Sequence, residues 1–203
     1  MEENSNSSFC RMVIVGIPGV GKTTVISKAA ELLSKRGLMT QVIVFGSAML
    51  DEAKKLGIKE RDEMRRLPVQ KQRTLQALAA NSIKTIQNRN VLIDTHLFIN
   101  TTEGKYPGLP KNLLEILSPT HLVMITADPE DIFRRRRQDG TRNRDLISVE
   151  GIKTDLEISA IMIASTSVLI GAPFKFIYNS NDKIDEAVID LVNMVYGSSD
   201  MTL

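Results

Sequence analysis

The chain has no tryptophan, a single cysteine and two histidines in 203 residues. One thiol, Cys10, excludes an internal disulfide and any zinc site built from several thiolates. Cys10 is expected to be an inert residue at the entry to the first strand. Aromatic residues make up only 4%, which leaves few rings for stacking single-stranded bases. No large charge excess exists either. With 26 Lys and Arg against 24 Asp and Glu, the net charge is +2, which calls for no polyanionic partner, and nucleic acid is not expected. No run approaches the roughly 20 apolar residues of a membrane span. The first nine residues lack the basic start and apolar core of a secretory signal. A cytoplasmic protein with no membrane partner is the expectation.

What remains is ordinary for a globular chain: 42% hydrophobic and 25% charged residues. The length suits one domain with a full core. The expected organisation is a flexible tail over 1–10, a single domain over 11–197, and a frayed end over 198–203.

The most specific stretch is Gly16-Ile17-Pro18-Gly19-Val20-Gly21-Lys22-Thr23, followed by Thr24. It fits G-x-x-x-x-G-K-[ST], the loop that wraps nucleotide phosphates. Its context is the required one, with the apolar run Met12-Val13-Ile14-Val15 before it and helical spacing from Thr23 to about Ser34 after it. Glycines let successive N–H groups approach phosphate oxygens, and the helix N-terminus adds partial positive charge. Lys22 is expected on the β- and γ-phosphates and the Thr23 hydroxyl on Mg²⁺. A bound nucleoside triphosphate is the direct implication.

Further apolar runs at Gln41–Phe45, Val91–His96, His121–Thr126 and Phe174–Tyr178 predict four more strands, separated by helical stretches. Five mostly non-alternating strands point to an α/β, doubly wound parallel sheet of the P-loop NTPase class. Residues 51–89 are helical, charged and punctuated only by Gly57 and Pro68. That is more chain than one crossover needs, so part of it is expected to protrude as a helical flap. Asp94 ends the third strand in the Walker B manner, where an acid faces the Mg²⁺ water shell. Thr101–Pro110, with two glycines and two prolines, reads as a stiff loop at the ligand-facing edge.

Arg134–Arg137, Arg142 and Arg144 put six arginines within eleven positions. Four consecutive helical residues point four ways, so only one or two of Arg134–Arg137 can face one ligand. The others are expected to be solvated or paired with Glu130 and Asp131. Arg142 and Arg144 alternate after Gly140 and suit two phosphate contacts, which makes 134–147 a short arginine-bearing lid.

Gly16–Thr24, Phe45-Gly46, Arg61-Asp62-Glu63-Met64-Arg65, Asp94-Thr95-His96, Tyr106-Pro107-Gly108-Leu109-Pro110 and Thr141-Arg142-Asn143-Arg144-Asp145 stand in the order seen in archaeal-type adenylate kinases. The chain resembles that family from about Arg11 to Tyr196. The resemblance implies the reaction ATP + AMP ⇌ 2 ADP with Mg²⁺, and a homotrimer. It implies ATP contacts from Gly16 to Thr24, with Lys22, Arg135, Arg142 and Arg144 as the catalytic cations. Gly46, Arg61, Arg65, Thr95 and His96 would hold AMP, while Thr23 and, through water, Asp94 would hold the metal. Arg61 and Arg65 share a helix face, but pairing with Glu60, Asp62 and Glu63 is an alternative for both. His96 reads as a hydrogen-bonding strand-end residue, because an ionised phosphate acceptor needs little help from a base. Three alternatives stay open: a kinase for another nucleoside monophosphate, a GTPase switch using Asn179-Ser180-Asn181-Asp182, and an RNA-associated factor using the arginine run.

Overall fold

A computed structural model gives the fold, and residues 9–87, 89–101, 104–138, 148–181 and 183–199 are described. In chain order the elements are β1 (Arg11–Val15), α1 (Lys22–Lys35), β2 (Thr40–Val44), α2 (Phe45–Lys55), α3 (Arg61–Arg65), α4 (Val69–Lys84) and β3 (Asn90–Asp94). They continue with β4 (Phe98–Thr101), β5 (Gly104–Pro107), α5 (Lys111–Leu117), β6 (His121–Thr126), α6 (Pro129–Gln138), α7 (Val149–Ile170), β7 (Phe174–Tyr178) and α8 (Ile184–Ser199).

Five strands form one parallel sheet in the order β2-β3-β1-β6-β7. The central strands are buried along most of their length, which is why they read as unbroken apolar runs. Alternate residues of β1 feed two cores. Met12 and Ile14 pack with Val25, Ile26 and Leu33 of α1 and Leu191, Val192 and Val195 of α8. Val13 and Val15 pack on the other face with Ala53 of α2, Leu75, Ala79 and Ile83 of α4, and Leu113 and Leu117 of α5. Because β1 lies between β3 and β6, the chain leaves it where the strand order turns, the position at which such sheets bind ligands.

The sheet, the arginine-bearing helix and the ends of β6 and β7 match the expected ones. Three features differ. Residues 101–110 are not simply a loop: Phe98 and Ile99 pair antiparallel with Pro107 and Tyr106 in a β4–β5 hairpin. Each strand has only four residues, and Pro107 sits at the hairpin's end, where its missing N–H costs no internal ladder bond. Helix α2 starts at Phe45, directly from β2, with Val44 at the cap and no capping side chain, so the usual polar start signal is missing. Helix α5 was not foreseen for the same reason, since Pro110 occupies its cap.

At the pole away from the strand C-termini, Arg11 ties the helices to β1. Its guanidinium donates to Leu117 O (3.0 Å), Lys84 O (3.2 Å) and Ile86 O (3.4 Å). These carbonyls lie at the C-terminal ends of α5 and α4, where intrahelical donors run out.

Candidate nucleotide site

The loop 16–21 joins the buried end of β1 to α1. Gly21 stands at the N-cap with φ 81°, a left-handed conformation that side-chain-bearing residues rarely adopt. A Cβ there would lie 2.3 Å from Nδ2 of Asn179. The loop is thus shaped both by its own glycine and by a residue far along the chain.

Lys22 opens α1 and is buried, with its ammonium in contact with Oδ1 of Asp94. The Thr23 hydroxyl donates to the other oxygen, Asp94 Oδ2, at 3.5 Å. Desolvation pushes Lys22 down to about 8 from an ordinary value of 10.5, while the neighbouring carboxylate pulls the other way. Asp94 reaches this point because β3 pairs with β1 in parallel register, Asp94 opposite Ile14. The next N–H continues the register, Thr95 N donating to Ile14 O at 3.0 Å. Thr95 is buried. His96 is exposed, and its Nδ1 lies 3.2 Å from Gly16 O. A carbonyl accepts only, so Nδ1 carries the proton in that contact.

Of the four consecutive arginines on α6, two turn to the loop. Arg135 donates to Val20 O (3.4 Å), Asn179 O (3.0 Å) and Asn181 Oδ1 (2.7 Å). Arg136 is buried and donates from Nε to Pro18 O at 2.8 Å. Arg134 is exposed and paired with Asp131, and Arg137 lies 6.0 Å from the Phe133 ring centroid. Asp128 starts this helix by accepting from Glu130 N at 2.9 Å.

Arg61 of α3 donates to Ser47 Oγ of α2 at 2.7 Å. Gly46 lies in the first turn of α2, with open space where a Cβ would stand. Arg65 ends α3 and its side chain lies outside the described residues, as do Arg142 and Arg144. The structure therefore brings together the loop 16–21, Lys22, Thr23, Asp94, His96 and Arg135. Gly46 follows Val44, which pairs with Asp94 of that cluster, and Arg61 joins α2 through Ser47.

The fold matches those of known small-molecule kinases. A shikimate kinase from Acinetobacter baumannii in complex with shikimate superposes with a TM-score of 0.59 at 15% identity, covering 97% of both chains. The shikimate kinase of Bacteroides thetaiotaomicron gives 0.56 at 16%, covering 92% of this chain and 98% of that one. At such identity the likeness speaks of fold alone. A family model described as an AAA domain matches residues 15–153. The adenylate kinase of Methanocaldococcus jannaschii is 39% identical over 186 residues, spanning 91% of this chain and 97% of that relative. The chain belongs to the adenylate kinase family. The Saccharolobus solfataricus adenylate kinase agrees, at 37% over 188 residues, with 89% of this chain and 96% of that relative covered.

As an adenylate kinase the chain is a phosphotransferase. The alternative of a guanine-reading switch has no support from these relatives, and Ser180 stands where N-K-x-D requires lysine. Sequence reasoning overlooked three residues of this adenylate kinase. Asn179 passed as a turn residue, and Arg136 as one member of a solvated run. Arg73 of α4 donates to the Tyr106 hydroxyl at 3.2 Å and so joins α4 to the hairpin. Tyr106 opens the stretch Tyr106–Pro110, but nothing in the spacing links it to Arg73.

Proposed function

We propose that the chain moves the γ-phosphoryl group of ATP reversibly onto a phosphate oxygen of AMP, releasing two ADP. The convergence of Lys22, Thr23 and Asp94 at the mouth of the glycine loop, in a chain of this family, carries the reading. The loop N–H groups from Gly16 to Thr24 would cradle the ATP phosphates, with the Lys22 charge on the transferring group. Thr23 and Asp94 present oxygen ligands side by side, which suits a hard cation. Thr23 and, through water, Asp94 would hold Mg²⁺ there, and the ion would supply neutralisation of phosphate charge.

Gly46, Arg61, Arg65, Thr95 and His96 would receive AMP. No general base is required, because the attacking phosphate oxygen is already ionised. Arg135, with Arg142 and Arg144, would close over the phosphates and shield the transfer from water. Residues 51–89 would act as the acceptor flap and 134–147 as the lid.

A coupled assay across AMP, CMP, UMP and GMP tests the reading. AMP should turn over fastest, and a faster acceptor among the others would overturn it.

A homotrimer in the cytoplasm completes the proposal. Among the described residues no helix is long and apolar enough to cross a membrane. Support for self-association comes from α7, where Ile161, Val168 and Leu169 share one face and are 67%, 85% and 63% exposed. Large apolar residues grouped on one helix face mark contact surfaces.

A further inference from the structure

The turn after β7 is built into the donor loop. Asn179 is only 4% exposed, and three of its groups are tied to three different elements. Its N–H donates to Thr126 O at the end of β6 (2.8 Å), and its carbonyl accepts from Arg135 (3.0 Å). Its side-chain amide donates to Val20 O (2.7 Å). Two residues on, Asn181 closes a second ring, accepting from Arg135 (2.7 Å) and donating to Asp131 Oδ1 (2.6 Å).

The Val20–Gly21 peptide is planar and trans, so its C=O and N–H point in opposite directions. Holding Val20 O toward Asn179 turns Gly21 N–H away from it. Among the described residues that N–H has no hydrogen-bond partner. It is a backbone donor left unpaired at the loop's last position, next to Lys22, where an anion would satisfy it. The missing Cβ of Gly21 lets the amide approach.

We propose that Asn179 is a positioning residue for phosphoryl-donor binding: it sets the Val20–Gly21 peptide so that Gly21 N–H faces the donor phosphates. Through Arg135 and Asn181 the same contact ties the loop to α6, the helix that runs up to residue 138. The inference rests on reading 16–24 as the ATP cradle.

The test uses the full chain as Asn179→Ala and as the near-isosteric Asn179→Asp, which cannot donate when ionised. Melting temperatures, ATP affinity by titration, and steady-state constants for ATP and AMP are measured for each. Both variants should weaken ATP binding and raise the ATP KM about tenfold or more, the effect of one buried hydrogen bond. Asp should be worse than Ala, because it sets two acceptors against each other. The AMP KM should stay within twofold. ATP affinity within twofold of the unaltered protein in a folded variant overturns the proposal, and so does a parallel loss of ATP and AMP affinity. If Ala fails to fold, Asp carries the test; if neither folds, Asn179 is a folding residue and the proposal fails. The unaltered protein is the separate control. Failure of that protein to make ADP from ATP and AMP would refute the kinase reading instead.

Discussion

Lys22, the first residue of α1, rests its ammonium on the carboxylate of Asp94, the last residue of β3, and both side chains are 8% exposed. The two groups that a triphosphate and its metal would claim separately thus neutralise each other. A buried charge left without its partner is costly, so the pair keeps both charges tolerable until phosphate arrives. Loading the site exchanges one ion pair for two new sets of contacts.

Removing the cation should therefore hit the chemical step harder than the fold. Lys22→Ala is expected to lower kcat by at least about a thousandfold, the scale seen when a charge stabiliser at the reacting group is lost. It also leaves the Asp94 carboxylate buried without its counter-charge, with the Thr23 hydroxyl still beside it, so some fall in melting temperature should accompany it. A loss of turnover below about tenfold would mean that Lys22 does not reach the transferring phosphoryl group.

A pH dependence follows from the same burial. The Lys22 value of about 8 lies below its ordinary 10.5 because of burial, and phosphates at its side would favour the charged form. Binding of ATP must then take up a proton wherever free Lys22 is neutral, which is above about pH 8. ATP affinity should be flat below pH 8 and fall up to about tenfold per pH unit above it. Lys22→Arg, charged throughout, should remove that slope even if its affinity is lower. Titration of ATP binding between pH 6 and 9.5 reads both outcomes, and a slope that survives in the Arg variant would assign the proton to another group.

Much of this site was legible because phosphate binding is local in sequence. Eight consecutive residues form the loop, and an apolar run ending in Asp94 names its partner. The strand ends at Thr126 and Tyr178 and the left-handed helix end at Gly171 were legible too, since apolar runs and glycine punctuation mark them. What escaped depends on contacts between distant segments. Asn179 bonds to Val20 across 159 positions, and its Asn-Ser-Asn neighbourhood looks like any turn. Burial of Arg136 follows from which face α6 turns to Pro18, which four identical residues in a row cannot reveal. The hairpin at 98–107 was hidden by strands too short to show a period.

For the proposed acceptor site, Arg61 is the testable cation. It is exposed and bonded only to the Ser47 hydroxyl among the described contacts, so a phosphate can recruit it cheaply. Arg61→Ala should raise the KM for AMP about ten- to a hundredfold, the loss of a charge-assisted bond, and leave the KM for ATP nearly unchanged. Arg73→Ala is the companion variant, since Arg73 links α4 to Tyr106 of the hairpin. A rise in the ATP constant alone for Arg61→Ala would move that residue out of the acceptor site.

The exposed stripe on α7 gives a direct test of assembly. Val168 is 85% exposed, so Val168→Glu costs the isolated subunit little. In a trimer packed through this face it would bury three carboxylates near one another. Light scattering should show a trimer for the unaltered chain and a monomer for the variant, whose melting temperature at matched concentration should be lower by the stabilisation that assembly supplies. A variant that remains trimeric would place the interface elsewhere.

Gly108 is the residue through which the hairpin is fitted to the chain that leaves β3. A Cβ there would stand 2.2 Å from His96 O, while Gly108 N donates to Leu97 O at 2.8 Å. The obstacle is backbone, which cannot swing aside as a side chain would. Gly108→Ala must therefore push the 96–97 backbone, and with it the His96 ring that contacts Gly16 O. The expected cost is about 1–3 kcal/mol, the usual range for overpacking, or a fall in melting temperature of roughly 2–12 °C for a chain of this size. Because the displaced backbone follows Thr95 directly, the AMP constant should rise more than the ATP constant. Equal melting temperatures for the two proteins would show that the hairpin shifts as a unit and that the close approach carries no stability.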